Sequence, residues 1–159
     1  MIAVLLFLCA NGIQAQTMQT PLNQMELMKQ FIGNWKCEIV KEATFFTLVV
    51  NPFGTVMECN YTVINNGDTV LREKWIWGYD KNNDKIIEAV ISNTNADITL
   101  NAMSFKSKNI LEKVPYKNIS DFTQSSWMVN YEFTTPDLIT STYTNNNTAP
   151  ITWIITRVK

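Results

Sequence analysis

The sequence predicts an all-β fold, an antiparallel sheet of roughly eight to ten strands preceded by one short helix. Three observations support this prediction. From Asn34 to the end of the chain, runs rich in β-branched and aromatic residues alternate with polar positions. Clusters of Asn, Asp, Gly and Pro separate these runs. No segment between them has the length and periodicity of a helix that could connect parallel strands.

The one segment with helical character runs from Pro21 to Ile32. Thr20 is an acceptable N-cap, and proline suits the first helical position. Gly33 should end the helix. Apolar residues at spacings of three and four predict a single buried stripe, formed by Leu22, Met25, Met28 and Ile32.

The strand runs that follow predict one domain over residues 16–159. Asn65–Asp68 is a strong hairpin turn, because Asn and Gly tolerate positive φ. Such a sheet must form a sandwich or close into an up-and-down β-barrel to hide its edges, and composition leaves both open. The strand runs are 35–39, 56–64, 69–78, 86–92, 98–105, 110–114, 126–133, 138–143 and 151–158.

The first residues predict export. Ile2 to Ala10 form an apolar run, shorter than the roughly 20 residues that span a bilayer, and it fits a secretory signal peptide over residues 1–15. Cleavage after Ala15 would leave a periplasmic or secreted chain with no membrane span. No Lys or Arg precedes the run, however. Lipid attachment at Cys9 and a retained anchoring segment are the alternatives.

The two remaining cysteines, Cys37 and Cys59, have two interpretations. If their strands pair antiparallel around a hairpin near Leu48, the two residues lie opposite and a disulfide can form. If residues 35–50 instead form one long strand, the cysteines fall out of register. Both are then buried thiols that act as small hydrophobes.

The composition excludes several classes of function. The chain of 159 residues contains no histidine, which removes imidazole-based catalysis and histidine-ligated zinc or haem. A net charge of -1 gives no electrostatic basis for nucleic-acid binding. We therefore expect no metal, no cofactor and no nucleic-acid partner. Glu112 and Lys113 are interpreted as solvated charges at a strand end.

Four short motifs suggest a fold family. They are Gly33–Trp35, Gly78–Asp80, Asn95–Asp97 and Ile155–Arg157. Together they resemble the calycin superfamily of lipocalin-like barrels, and more narrowly a bacterial calycin-like family of unknown function. The resemblance implies a closed barrel rather than a sandwich.

The same resemblance implies roles for three residues. Trp35, following Gly33, would close the base of the barrel, and Arg157 would pack across the Trp35 ring as a cation–π contact. Recognition of a ligand carboxylate by Arg157 is the alternative role.

Strand parity predicts a ligand site. Glu73, Trp75 and Trp77 share one face of their strand, and Trp127 and Tyr131 share a face of another. If both faces point inward, these residues line a cavity for a small apolar or amphiphilic ligand, bound without catalysis. In one alternative, the rings fill the interior of a structural or partner-binding barrel. In a second, Glu73 lies on the outer surface. In a third, the barrel is a hydrolase or isomerase, with Glu73 as the base and Tyr131 as the proton donor.

Overall fold

The computed structural model describes residues 22–39, 44–94 and 96–159. Within these ranges, ten antiparallel strands form one closed barrel, which confirms the predicted all-β class and favours the barrel over the sandwich. The predicted signal peptide, Cys9 and the helix start at Thr20 and Pro21 lie outside the described residues, as does Asn95. The strands are β1 (Gly33–Ile39), β2 (Thr44–Phe53), β3 (Val56–Asn65), β4 (Asp68–Asp80), β5 (Lys85–Ser92), β6 (Ile98–Ser107), β7 (Ile110–Pro115), β8 (Trp127–Thr135), β9 (Leu138–Asn145) and β10 (Ile151–Val158).

Each strand pairs with the next along the chain, and β1 pairs with β10 to close the barrel. Closure gives each of the ten described strands a partner on both sides. The predicted turn between β3 and β4 is present, with positive φ at Asn66 (49°) and Gly67 (89°). This conformation matches a two-residue turn whose twist suits the flanking strands.

β2 was not predicted as a separate strand, and its position determines whether Cys37 and Cys59 can form a disulfide. Cys37 on β1 lies opposite Phe46 of β2, and Cys59 on β3 lies opposite Val50 of β2. Because β2 lies between them, β1 and β3 are not paired. The structure corrects the disulfide alternative: both cysteines are buried free thiols.

The short helix α1 (Gln24–Met28) and the 3-10 turn Lys29–Phe31 plug one end of the barrel, which we call the base; the opposite end is the mouth. The α-helix is shorter than predicted: Leu22 and Asn23 are not helical, and it ends at Met28. Its N-cap is Asn23 rather than Thr20, because the Asn23 side chain accepts a hydrogen bond from the Glu26 amide. Gln24 is buried, and its Oε1 accepts a hydrogen bond from the Phe105 amide of β6 at 2.7 Å. This hydrogen bond links α1 to β6 and holds the apolar face of α1 against the barrel core.

Two further 3-10 turns, Tyr116–Asn118 and Phe122–Gln124, lie between β7 and β8. Phe122 packs outside the barrel in a small cluster with Ala102 and Val114. No helix of the described ranges has both the length and the apolar character needed to cross a membrane.

Candidate functional site: a cavity toward the mouth of the barrel

The barrel interior contains a cavity of about 310 Å³, lined by residues of the half nearer the mouth. This volume lies at the lower end of the roughly 300–1,000 Å³ typical of small-molecule pockets. Most of the lining is apolar or aromatic. Its polar groups are one carboxylate, one serine, the hydroxyls of the tyrosines and the indole N–H groups of the tryptophans. The cavity is lined by Phe46, Leu48, Tyr61, Leu71, Glu73, Trp75, Val129, Tyr131, Ser141, Tyr143, Trp153 and Ile155.

A row of aromatic rings crosses β2, β3 and β4 on the inner wall. The ring centroids of Phe46 and Tyr61 are 5.5 Å apart. Tyr61 and Trp75 stack at 5.0 Å with an interplanar angle of 18°. Trp75 then lies 6.3 Å from Trp77, deeper in the barrel. Because these rings pack against one another, one wall of the cavity is preformed.

Glu73 is the carboxylate of the cavity. It lies opposite Tyr61 in the β3–β4 register, and its Oε2 accepts a hydrogen bond from Trp75 Nε1 at 2.7 Å. Burial, followed by the negative charge of Glu73, raises the pKa of Tyr61 to about 12. The Tyr61 hydroxyl is therefore a neutral donor at physiological pH.

A second carboxylate, Glu88 on β5, is buried below the cavity and is 1% exposed. Its Oε1 accepts a hydrogen bond from Trp77 Nε1 at 3.0 Å, and its Oε2 accepts one from Asn101 Nδ2 at 2.7 Å. The ammonium of Lys113 on β7 lies 3.2 Å from Oε2. A buried carboxylate needs such partners, since an isolated buried charge is very costly.

Lys113 completes this buried pair and contacts the cavity wall. Its Nζ lies 5.1 Å from the ring centroid of Trp75 and 5.7 Å from that of Tyr131. Burial alone would lower the pKa of Lys113, but the charge of Glu88 and the interaction with Tyr131 hold it above its ordinary value. Burial raises the pKa of Tyr131. Lys113 is therefore an ammonium rather than a free amine nucleophile.

The expected closure of the base is present in the structure. Arg157 lies opposite Trp35 in the β1–β10 register, and its guanidinium carbon is 4.1 Å from the Trp35 ring centroid. Gly33 has φ of +130°, a conformation that favours glycine. A Cβ added to Gly33 would lie 2.5 Å from Arg157 Nη1, so glycine is also required by the close approach.

The remaining contacts of Arg157 hold the chain at the base. Its guanidinium donates hydrogen bonds to the carbonyl oxygens of Ile32, Gln30 and Pro136. Its Nε also lies 3.1 Å from the Asp137 carboxylate. The N–H groups of the Arg157 guanidinium are therefore bound to partners at the base. Arg157 is also absent from the lining of the cavity. The structure therefore favours its closing role over recognition of a ligand carboxylate.

The five residues predicted to bind ligand separate into two groups. Glu73, Trp75 and Tyr131 line the cavity. Trp77 is 3% exposed and lies deeper, as the donor to Glu88. Trp127 lies near the mouth, with its ring 6.3 Å from that of Tyr143, and does not line the cavity.

Sequence reasoning missed the buried ion pair. Lys113 was expected to be solvated, but its side chain is 12% exposed and points inward. The alternation of Ile86, Glu88 and Val90 was the available signal, because it places Glu88 on the same strand face as two apolar residues. In the structure Ile86 and Glu88 are both buried. The Lys113 partner had no local signal, since β5 and β7 are separated by β6.

No protein-family model matches the chain, and no curated protein matches it. The ten-stranded antiparallel barrel is consistent with a calycin-like fold. In the described part of the chain, no group of three or more Cys, Asp or Glu side chains is placed to hold a metal ion.

Proposed function

We propose that this protein is a calycin-like barrel that binds a small apolar or amphiphilic ligand in the cavity without transforming it. The observation that carries the proposal is the cavity of about 310 Å³ and its aromatic lining. A ring buried in such a site contributes roughly 1.5–3 kcal/mol of binding free energy before the costs of association. Ten strands also make a wider barrel than the eight of lipocalins, which leaves more interior space.

The stacked wall supports binding rather than simple core filling. Phe46, Tyr61 and Trp75 pack against one another on one side of the cavity, so their positions do not depend on a ligand. Below them, Trp77 and the Glu88–Lys113 pair form a closed floor. Because this apolar surface is preformed, ligand binding would carry only a small entropic cost for ordering the site.

The test is a titration with N-phenyl-1-naphthylamine, an apolar dye whose fluorescence rises in apolar surroundings. Val129→Trp should fill the cavity and weaken dye binding by more than about tenfold. Val70→Trp is the matched control, because Val70 is 52% exposed and does not line the cavity. Absence of dye binding by the wild type, or equal binding by the Val129→Trp variant, would mean that the interior is not a ligand site.

Export is part of the same proposal, on the basis of the apolar run Ile2 to Ala10. Expression in a bacterial host should give a periplasmic or secreted protein whose intact mass corresponds to a chain that begins at Gln16. A cytosolic protein that retains Met1 would contradict export, and a lipid-modified mass at Cys9 would replace cleavage after Ala15 by lipidation.

A further inference from the structure

The charges inside the barrel do not balance among the described residues. Glu88 and Lys113 form an ion pair and neutralise each other. Arg157 is held at the base by backbone carbonyls and Asp137. Glu73, which lines the cavity, forms no ion pair with any residue of the described ranges. The cavity therefore has an excess negative charge at one defined position.

The surroundings of Glu73 orient its carboxylate without neutralising it. One hydrogen bond, from Trp75 Nε1, holds Oε2. A carboxylate can accept about four hydrogen bonds, so most of its acceptor capacity is available to a ligand. The walls next to Glu73 are apolar and aromatic. In such surroundings an unpaired charge is costly, and the interaction of a carboxylate with a paired cation is strong.

Aromatic rings at the edge of this cavity already hold one ammonium group. Lys113 Nζ lies over Trp75 and Tyr131, at 5.1 and 5.7 Å from their centroids. The negative face of an aromatic ring attracts a cation most strongly where water is excluded. Phe46, Tyr61, Tyr143 and Trp153 present further rings to the same space.

We infer that the ligand of this cavity carries a cationic amine or quaternary ammonium group, which pairs with Glu73, and an apolar body, which packs on the aromatic wall. The inference rests on the proposed ligand-binding function and names its ligand class. A fatty acid or other anion is disfavoured, because its carboxylate would approach Glu73. Lys113 and Arg157, the interior cations of the described strands, are already paired.

The test compares three probes of similar size and different charge by isothermal titration calorimetry. Phenethylamine is a cation, 2-phenylethanol is neutral and 3-phenylpropionate is an anion. The wild type should bind phenethylamine at least about tenfold more tightly than 2-phenylethanol, and 3-phenylpropionate most weakly. This order is measured on the unmodified protein, so it decides the inference even if a variant fails to fold.

Two variants then locate the effect. Glu73→Gln keeps an acceptor for Trp75 Nε1 and should weaken phenethylamine binding about tenfold while changing 2-phenylethanol binding by less than about twofold. Glu132→Gln removes the same charge from the exposed outer wall of β8 and should leave all three affinities unchanged.

The outcomes separate this inference from the proposed function. Equal binding of phenethylamine and 2-phenylethanol, with no effect of Glu73→Gln, would overturn the cationic ligand but support the cavity as a binding site. Tightest binding of 3-phenylpropionate would also overturn it. No binding of any probe would count against the binding function, and the inference would fall with it.

Discussion

Lys113→Met should lower the free energy of unfolding by about 3–5 kcal/mol, because it leaves a buried carboxylate without its cation. Glu88 is 1% exposed, and its Oε2 lies 3.2 Å from Lys113 Nζ. Water cannot reach the carboxylate easily, and Trp77 and Asn101 supply only neutral donors. Methionine preserves most of the apolar volume of the lysine stem, so the loss reports the charge rather than a cavity.

The double variant Lys113→Met/Glu88→Gln tests this cause. A glutamine at position 88 can still accept from Trp77 Nε1. A flip of the Asn101 amide would turn its Oδ1, a buried oxygen with no partner among the described residues, toward the NH₂ group of this glutamine, which could then donate to it. Replacing both members of a buried pair is often nearly neutral, so the double variant should recover to within about 1–2 kcal/mol of the wild type.

The assay is equilibrium urea unfolding followed by tryptophan fluorescence and circular dichroism. With a slope of roughly 1–3 kcal/mol/M, the Lys113→Met loss should lower the midpoint by more than about 1 M. Lys74→Met is the control, because it breaks a pair with Glu58 on the outer wall, where both side chains are solvent-accessible. That change should cost less than about 1 kcal/mol. Equal midpoint shifts for the two lysine variants would refute the reasoning.

Three further predictions concern Gly33 at the base, the partly buried Tyr61 and the two cysteines. Gly33→Ala should cost about 1–3 kcal/mol of stability, because φ is +130° and the new Cβ would meet Arg157 Nη1; an unchanged urea midpoint would contradict this. The folded-state pKa of Tyr61 is raised to about 12, so the unfolded chain loses this proton first, and stability should fall as pH rises from about 10 to about 12. Tyr61→Phe should reduce that fall in urea titrations, and identical pH profiles would count against the assignment. Burial raises the pKa of Cys37 to about 11 and also raises that of Cys59, so iodoacetamide at pH 8 should label both thiols only after unfolding. A Cys37–Cys59 disulfide in peptide mapping would contradict the two free thiols.

The parts of the fold predicted from sequence are those with local signals. The run Ile151–Val158 coincides with β10, and the Asn65–Asp68 turn lies where Asn66 and Gly67 adopt positive φ. The alternation of Glu73, Trp75 and Trp77 predicted that all three side chains share one face of β4, and in the structure this face points into the barrel. Period-two alternation and turn chemistry depend on neighbours along the chain, which explains why they can be read without a structure.

The parts that were missed depend on strand neighbours. The two sequence interpretations, a hairpin near Leu48 and one long strand over residues 35–50, were both wrong. β1 ends at Ile39, and the separate β2, with Leu48 in its middle, lies between Cys37 and Cys59. Trp127 has the parity of Tyr131 but lies near the mouth, because the end of a strand projects beyond the cavity that its middle lines.

The sequence by itself determined the all-β class, the shared face of Glu73, Trp75 and Trp77 and, through its resemblance, the meeting of Gly33, Trp35 and Arg157 at the base. The tertiary structure decided that the shared face of β4 points inward. The tertiary structure decided which inward residues share a cavity and which are neutralised. Glu88 and Lys113 lie on strands separated by β6, so only the curvature of the closed sheet brings their charges together across the interior. The same pairing leaves Glu73 as the unbalanced carboxylate of the cavity among the described residues, because ion pairing depends on distances across the barrel rather than on spacing along the chain.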